Sequence, residues 1–242
     1  MSERLYADLA DWWPWLAPLE RYPQEAQLYL RLLGSVAGEL NSLLELGSGT
    51  GHLAAAFPGS LDVELLDLSP TMIRSSQRNN PSRKHHLADL RVARLERSFD
   101  AVLLHDAVMY MTTEADLRAA LETAAVHVRE GGAVLVKPDV VAETFQEGTN
   151  SGGTQGDGRA AQLLEWHWDP DPTDDQFQVD MAFLLRDERG EVRCVHDQHT
   201  MGLFSRDRWC ALLREVGLHL AQPDPLDMLD LGDVFLCRRT RA

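Results

Sequence analysis

Apolar positions recur at helical spacing over residues 3–40, where Leu5, Leu9, Trp12, Trp13 and Leu16 form a stripe interrupted by Pro14 and Pro18. Tyr22-Pro23 opens a second helix carrying Ala26, Leu28, Leu30, Leu32 and Leu33, with Gly34 and Gly38 marking its end. From Ser42 the pattern changes to short apolar runs separated by amphipathic stretches. Ser42–Leu46 runs into the glycines Gly47, Gly49 and Gly51, and His52–Phe57 is the helix that follows, stopped by Pro58-Gly59. Val63–Leu66 reads as a second strand ending at Asp67, and Ser69-Pro70 is a cap followed by proline, the usual start of a helix. His85–Leu87 is a short third strand and Phe99–Leu104 a fourth. Ala115–Val128 is a helix closed by Gly131-Gly132, and Ala133–Val136 a fifth strand. Strands alternating with helices predict an α/β fold, a parallel sheet with helices on both faces.

Residues 139–204 interrupt that alternation. Gly148–Gly158 is glycine-rich, has little apolar content and reads as flexible. Three strand-like segments follow, Leu163–Trp168, Phe177–Leu185 and Val192–Leu203, with turn signals at Asp169-Pro170-Asp171-Pro172 and Asp187-Glu188-Arg189-Gly190. An antiparallel ribbon is expected there. Arg206–Val216 then reads as a helix and Val234–Arg238 as a last strand. The expected division is an N-terminal helical cap (1–40), an α/β core (41–138 with 205–242) and a β-ribbon insertion (139–204). The insertion is placed over the open edge of the site, as a lid or a dimer element.

Charge narrows the classes of partner. With 38 acidic and 23 basic side chains the formal net charge is −15, a surface that repels phosphate backbones and disfavours a nucleic-acid substrate. The three cysteines, Cys194, Cys210 and Cys237, form no CxxC pair, so neither a zinc site nor a disulfide framework is expected. No basic segment leads into an apolar run and no apolar stretch is long enough to span a bilayer; a cytoplasmic protein is expected.

The most specific chemistry lies at Leu44-Glu45-Leu46-Gly47-Ser48-Gly49-Thr50-Gly51, where the first strand hands over to a helix. Glycines there let the backbone turn tightly and lie against a ligand. Asp67 stands twenty residues after Gly47, at the end of the second strand, where a carboxylate can accept both hydroxyls of a ribose. The run is GxGxG rather than the GxGxxG of a dinucleotide fold, and no Walker-type lysine follows it. That spacing suits a loop curled around the methionine part of S-adenosylmethionine.

At these residues the chain resembles the class I S-adenosylmethionine-dependent methyltransferases. Glu45–Gly51 is similar to the family's first motif and Asp67-Leu68-Ser69-Pro70-Thr71-Met72 to its second. Ala88-Asp89-Leu90-Arg91 resembles the third, whose acid and following amide meet the adenine. Phe99–Val102 with His105-Asp106 resembles the fourth strand and its loop, and Gly131–Val136 the fifth-strand signature. The resemblance implies a Rossmann-like seven-stranded sheet whose last strand, here Val234–Arg238, is reversed. It also implies a donor site made of Tyr22, Glu45, Gly47, Ser48, Gly49, Gly51, Asp67, Leu68, Met72, Asp89, Leu90 and His105, with S-adenosylhomocysteine as product. A narrower resemblance is to the N,N-dimethyltransferases of nucleotide-linked deoxyamino sugars, carried by Pro138, Glu143-Thr144-Phe145 and the run His196–Arg206. Some of those enzymes have a histidine just past strand four, where this chain has Tyr110; Glu165–Pro170 is not part of the resemblance.

Methyl transfer is an in-line displacement for which the protein must align the nucleophile and exclude water; an amine nucleophile has to be neutral. No metal is required. Tyr110, His105, His167 and His199 are the candidate acceptor-side residues, with Tyr6 and Tyr22 reaching the donor from the cap. The expected function is transfer of a methyl group to a small-molecule amine, with no nucleic acid or membrane partner and a homodimer left open. An O- or C-methyltransferase and a non-catalytic S-adenosylmethionine-binding protein are the alternatives, and a nicotinamide oxidoreductase is the weakest.

Overall fold

A computed structural model describes residues 4–17, 19–222 and 232–240. Pro18, and residues 223–231 of the expected core segment 205–242, lie outside the described residues. The first strands are Ser42–Leu46 (β1), Asp62–Asp67 (β2), Lys84–Leu87 (β3), Phe99–His105 (β4) and Val128–Lys137 (β5). Their near-continuous Leu and Val runs are those of strands buried on both faces, and Leu43, Leu44, Leu46, Leu103, Leu104, Val134, Leu135 and Val136 are all fully buried. A second, antiparallel sheet follows: Gly148–Gly152 (β6), Gln155–Gly156 (β7), Arg159–Trp168 (β8), Gln176–Arg186 (β9) and Val192–Gly202 (β10). Leu218–Leu220 (β11) and Phe235–Arg239 (β12) return to the first sheet. Its order is β11-β12-β5-β4-β1-β2-β3. The pairs among β1 to β5 are parallel, whereas β12 runs antiparallel to both β5 and β11. The reversed strand is the one expected.

Among the described residues six α-helices accompany the strands: Trp13–Leu16 (α1), Tyr22–Ala37 (α2), His52–Ala55 (α3), Pro70–Asn79 (α4), Glu114–His127 (α5) and Arg206–Glu215 (α6). Residues 4–12 are mostly single 3-10 turns, and Pro14 sits in the first turn of α1, where a missing amide is harmless, instead of breaking a longer helix. The later starts are capped as their sequences suggest. Ser69, Thr113 and Ser205 each accept a backbone N–H from the third residue on, Met72, Asp116 and Arg208.

Two stretches differ from expectation. The α5 helix is not closed by Gly131-Gly132; it ends at His127 and the chain passes directly into β5. The glycines lie within that strand, beside a register shift against β4 between Phe99 and Ala101. A Cβ at Gly132 would stand 2.7 Å from the Asp100 carbonyl oxygen, so the pair marks a bulge, where the backbones approach too closely for a side chain. Gly148–Gly158 is paired and not loose, with β6 and β7 both hydrogen-bonded to β8.

The second sheet alternates buried and exposed residues along β9 and β10. Its inner face, including Phe177, Val179, Met181, Phe183, Leu185 and Val195, packs on Leu5, Leu9, Trp12, Leu16 and Met109. Arg159 fixes the outer end of this contact, its guanidinium 4.6 Å from the Trp12 ring centre and 5.0 Å from that of Trp15. Among the described residues no helix is long and apolar enough to cross a membrane.

Candidate functional site

The glycine loop folds back over the end of β2: Gly47 and Ser48 donate their amides to the Leu66 carbonyl at 2.8 and 2.9 Å. Gly47, Gly49 and Gly51 all have positive φ (76°, 52° and 72°). A Cβ at Gly47 would lie 2.2 Å from Ala107 Cβ, whereas one at Gly49 would meet nothing within 4 Å, so Gly49 has an open side. Asp67 receives the Gly49 amide on Oδ2 and the Ser69 amide on Oδ1, both at 2.8 Å. Each oxygen keeps a lone pair, which leaves room for a vicinal diol. Burial pushes the Asp67 carboxyl up, against the opposing pull of the Ser69 and Gly49 amides.

Beneath the loop, Glu45 is fully buried at the end of β1. Its Oε1 lies 3.0 Å from His105 Nε2, while its Oε2 has no partner. A buried carboxylate oxygen left in this state is costly unless a ligand supplies the donor. The Ser48 hydroxyl, likewise buried and unpartnered, lies in the same loop. These orphaned atoms, the open side of Gly49 and the spare capacity of Asp67 fit a nucleoside that carries an amino acid.

His105 is flanked by two carboxylates, Asp106 Oδ2 standing 3.2 Å from its Nδ1. Burial alone would lower its pKa, but Asp106 and then Glu45 outweigh it and raise it to about 10. Asp106 has φ +40°, an uncommon conformation for a residue other than glycine, and its amide donates to the Lys137 carbonyl at 3.1 Å. Its carboxyl reaches that of Asp139, just past β5. Burial opposes ionisation of Asp106, but the charge and hydrogen bond of His105, followed by Lys137, outweigh it and hold its carboxyl low. Asp139 moves the other way, pushed up by burial and by the Asp106 charge.

On the opposite wall, Tyr110 is the meeting point. Its Oη lies 2.8 Å from Tyr6 Oη and 2.7 Å from His199 Nδ1. His199 Nε2 is 3.0 Å from Asp197 Oδ2, which accepts the Leu5 amide at 2.9 Å. Ser69 Oγ donates to the Tyr6 carbonyl at 2.6 Å, tying this wall to the donor side. His167 is not brought to Tyr110. It shares a row with Val179 and His199 on the inner face, but two strands away, about 10 Å at the spacing of sheet strands. Its nearest ionic neighbour is Glu165 at 3.6 Å.

The other predicted positions are spread along the cleft. Tyr22 stacks on His52 with ring centres 5.7 Å apart and accepts a hydrogen bond from Trp13 Nε1 at 3.2 Å. Leu68 is exposed, Leu90 lies under Gly47, and Met72 is fully buried in the core. Both oxygens of Asp89 are held by Arg91, which also reaches Asp116 at 3.0 Å. Sequence reasoning quoted Asp106 only as part of the loop after strand four, without a role, and did not single out Asp139, Asp197 or the buried Tyr29, whose ring centre is 6.3 Å from that of His105. For Asp106 and Asp139 a signal was present: each follows the carboxyl end of a parallel strand, where such folds hold their ligands.

Comparison with known proteins agrees with this geometry. The family described as a methyltransferase domain matches residues 44–134. The chain is 31% identical over 224 residues to a dTDP-3-amino-3,4,6-trideoxy-alpha-D-glucopyranose N,N-dimethyltransferase of Streptomyces venezuelae, covering 91% of this chain and 92% of that protein. It is 29% identical over 202 residues to a dTDP-3-amino-3,6-dideoxy-alpha-D-glucopyranose N,N-dimethyltransferase of Streptomyces fradiae, covering 81% and 77%. The crystal structure of Streptomyces venezuelae DesVI superposes with a TM-score of 0.82 at 27% identity, over 91% of this chain and 92% of that one. A match of this length, on a sheet of this order, means that the chain belongs to the class I S-adenosylmethionine-dependent methyltransferases, together with the N,N-dimethyltransferases of deoxyamino sugars.

Proposed function

We propose that the acceptor is a small-molecule amine, an amino sugar of the kind named for the relatives, held against Tyr110. The observation that carries this reading is the Tyr110 hydroxyl, fixed between Tyr6 and His199 on the wall facing the glycine loop. When bound, S-adenosylmethionine supplies a methyl carbon on a sulfonium leaving group. Gly47, Ser48, Gly49 and Gly51 cradle its methionine part, Glu45 and His105 face the amino-acid end, and Asp67 accepts the ribose hydroxyls. Tyr22, Leu68, Met72, Asp89 and Leu90 complete the donor side.

Tyr110 and His199 orient the acceptor nitrogen, with Asp197 fixing the imidazole. His167, beside Glu165, lines the far end of the acceptor cleft. In this reading residues 1–40 cap the site, 41–138 with 205–242 hold the donor, and 139–204 form the acceptor wall. The net charge of −15 argues against nucleic acid as substrate, and the unpaired cysteines suit the cytoplasm. A homodimer formed through the second sheet is supported by the exposed Leu164, Trp166 and Leu184 on its outer face.

Titration calorimetry with S-adenosylmethionine, S-adenosylhomocysteine and NAD, followed by transfer of labelled methyl to paired amine and hydroxyl acceptors, tests the reading. Binding of the first two ligands and label on nitrogen are expected. Tyr110→Phe should lower kcat by about tenfold to a hundredfold while donor affinity stays unchanged. Label found on oxygen, or full activity in Tyr110→Phe, would overturn the amine reading.

A further inference from the structure

We propose that the acceptor is an amine that carries no phosphate, so that a nucleotide-linked amino sugar is not the substrate of this chain. This rests on the amine reading above and departs from the relatives in one respect, since the acceptors in their names are dTDP-linked.

The second sheet sets the direction in which an acceptor can extend. A nitrogen held at Tyr110 stands beside His199, and the row His199, Val179, His167 leads from there across β10, β9 and β8. His199, Val179 and Met181 are buried on this inner face, whereas Glu165 and His167 keep 28% and 27% of their side chains exposed. The face is therefore open at β8, about 10 Å from His199 at the spacing of sheet strands. The body of the acceptor extends toward that opening.

The groups around the opening are aromatic and acidic. Half-buried Phe145 packs on Phe177 with ring centres 4.8 Å apart, His167 stands 6.2 Å from the same ring, and Glu165 lies 3.6 Å from His167. Beyond Trp168 the chain turns through Asp169, Asp171, Asp174 and Asp175. Between Lys137 and Arg206 the sequence holds no lysine and only Arg159, Arg186, Arg189 and Arg193. Arg159, Arg186 and Arg193 stand six to eight residues along their strands from the His167 row, about 20 Å or more at about 3.3 Å per residue, and Arg189 lies in the turn beyond them. Arg159 is in addition committed to Trp12 and Trp15.

The cations at the edges of the insertion are engaged as well. Arg206, at the start of α6, pairs with Asp233, and the α6 amides that could receive a phosphate are taken by the Glu143 carboxylate and by Ser205 Oγ. Lys137 offsets the charges of Asp106 and Asp139. Residues 215–237 add neither lysine nor arginine to the chain. A diphosphate is recognised through charge-assisted bonds from arginine and lysine or through free amides. Here it would meet carboxylates of its own sign, which attract a protonated amine and repel a nucleotide.

The test uses the full chain saturated with S-adenosylhomocysteine and titrated calorimetrically with dTDP. A dissociation constant weaker than about 1 mM is expected; tighter binding overturns the proposal. Kinetics then compare 3-amino-3,4,6-trideoxyglucose with its dTDP-linked form. The free sugar should have the higher kcat/KM by about tenfold or more. Added sodium chloride should lower kcat/KM for the free sugar and raise it for the linked one, because it screens attraction in the first case and repulsion in the second. Glu165→Arg should move the ratio toward the linked sugar by about tenfold, and Glu165→Gln by less. A wild-type preference for the linked sugar, or a ratio that Glu165→Arg leaves unchanged, overturns the proposal. If neither sugar is methylated the amine reading fails by itself, while the dTDP titration still decides whether the cleft accepts a nucleotide.

Discussion

Replacing Asp67 with asparagine changes almost nothing in shape and a great deal in hydrogen bonding. The carboxylate accepts two backbone amides at 2.8 Å, one on each oxygen. Asparagine offers one oxygen, so its NH2 must face either Gly49 N–H or Ser69 N–H, donor against donor. Leaving one buried amide unsatisfied costs about 1–3 kcal/mol in the ligand-free protein. Binding suffers as well, because hydrogen bonds from hydroxyls to an ionised acceptor contribute about 1.5–3 kcal/mol each. Losing roughly 3 kcal/mol in all from the diol contact weakens S-adenosylmethionine by about two orders of magnitude, at about 1.4 kcal/mol per tenfold. Titration calorimetry with both donor and product reads the affinity, and thermal unfolding with and without product reads the fold. A folded Asp67→Asn protein that binds the donor within about threefold of wild type would refute the placement of the ribose at this carboxylate.

Gly47→Ala and Gly49→Ala should separate a steric from a ligand-facing role. The first puts a methyl 2.2 Å from Ala107 Cβ at φ +76° and should lower both melting temperature and donor affinity; the second meets nothing within 4 Å and should weaken the donor with a smaller loss of stability. Equal effects of the two on stability would contradict the geometry. Glu64 predicts an acid-sensitive fold. Burial opposes its ionisation, but hydrogen bonds from His86 at 2.6 Å, Arg97 at 2.5 Å and Lys84 outweigh that and hold its carboxyl below the usual 4.5. Its stabilisation is present above the unfolded pKa and lost as pH falls through the lower folded value. Melting temperature followed from neutral to acid pH should therefore drop more steeply in wild type than in Glu64→Gln, the two curves converging at the acid end. Parallel curves would rule this out.

Much of the fold was legible because its cues are local. Leu43-Leu44 and Leu103-Leu104 announce strands buried on both faces, and Ser69-Pro70 announces a helix start, without reference to anything distant. The misreadings came where the cause lies on another strand. Gly131-Gly132 after a helical pattern looks like a stop signal, and only the Asp100 carbonyl oxygen, supplied by β4, makes it a bulge. Gly148–Gly152 carries no buried side chain, so nothing in its composition signals the pairing with β8 that orders it. At the candidate site, the turn made by the glycine loop and the place of Asp67 at the end of β2 were readable from spacing. The contact between Tyr110 and His199, 89 positions apart, depends on how the second sheet is set over the first. Alternation places His167 and His199 on one face but carries no information on how many strands separate them.

One continuous path joins the two halves of the cleft. Asp67 holds the Ser69 amide, Ser69 holds the Tyr6 carbonyl, and Tyr6 reaches Tyr110, His199 and Asp197 in turn. Asp197 closes the circuit on Leu5, the neighbour of Tyr6. Evolutionary drift at any one member therefore disturbs partners on three separate segments, so these residues can change only in compensating sets. Lineages acquiring new acceptors have their freedom elsewhere, at positions such as Glu165 and His167, which stand on β8 outside the circuit. Diversification of this protein should accordingly leave a fixed ring of polar residues surrounded by a variable wall.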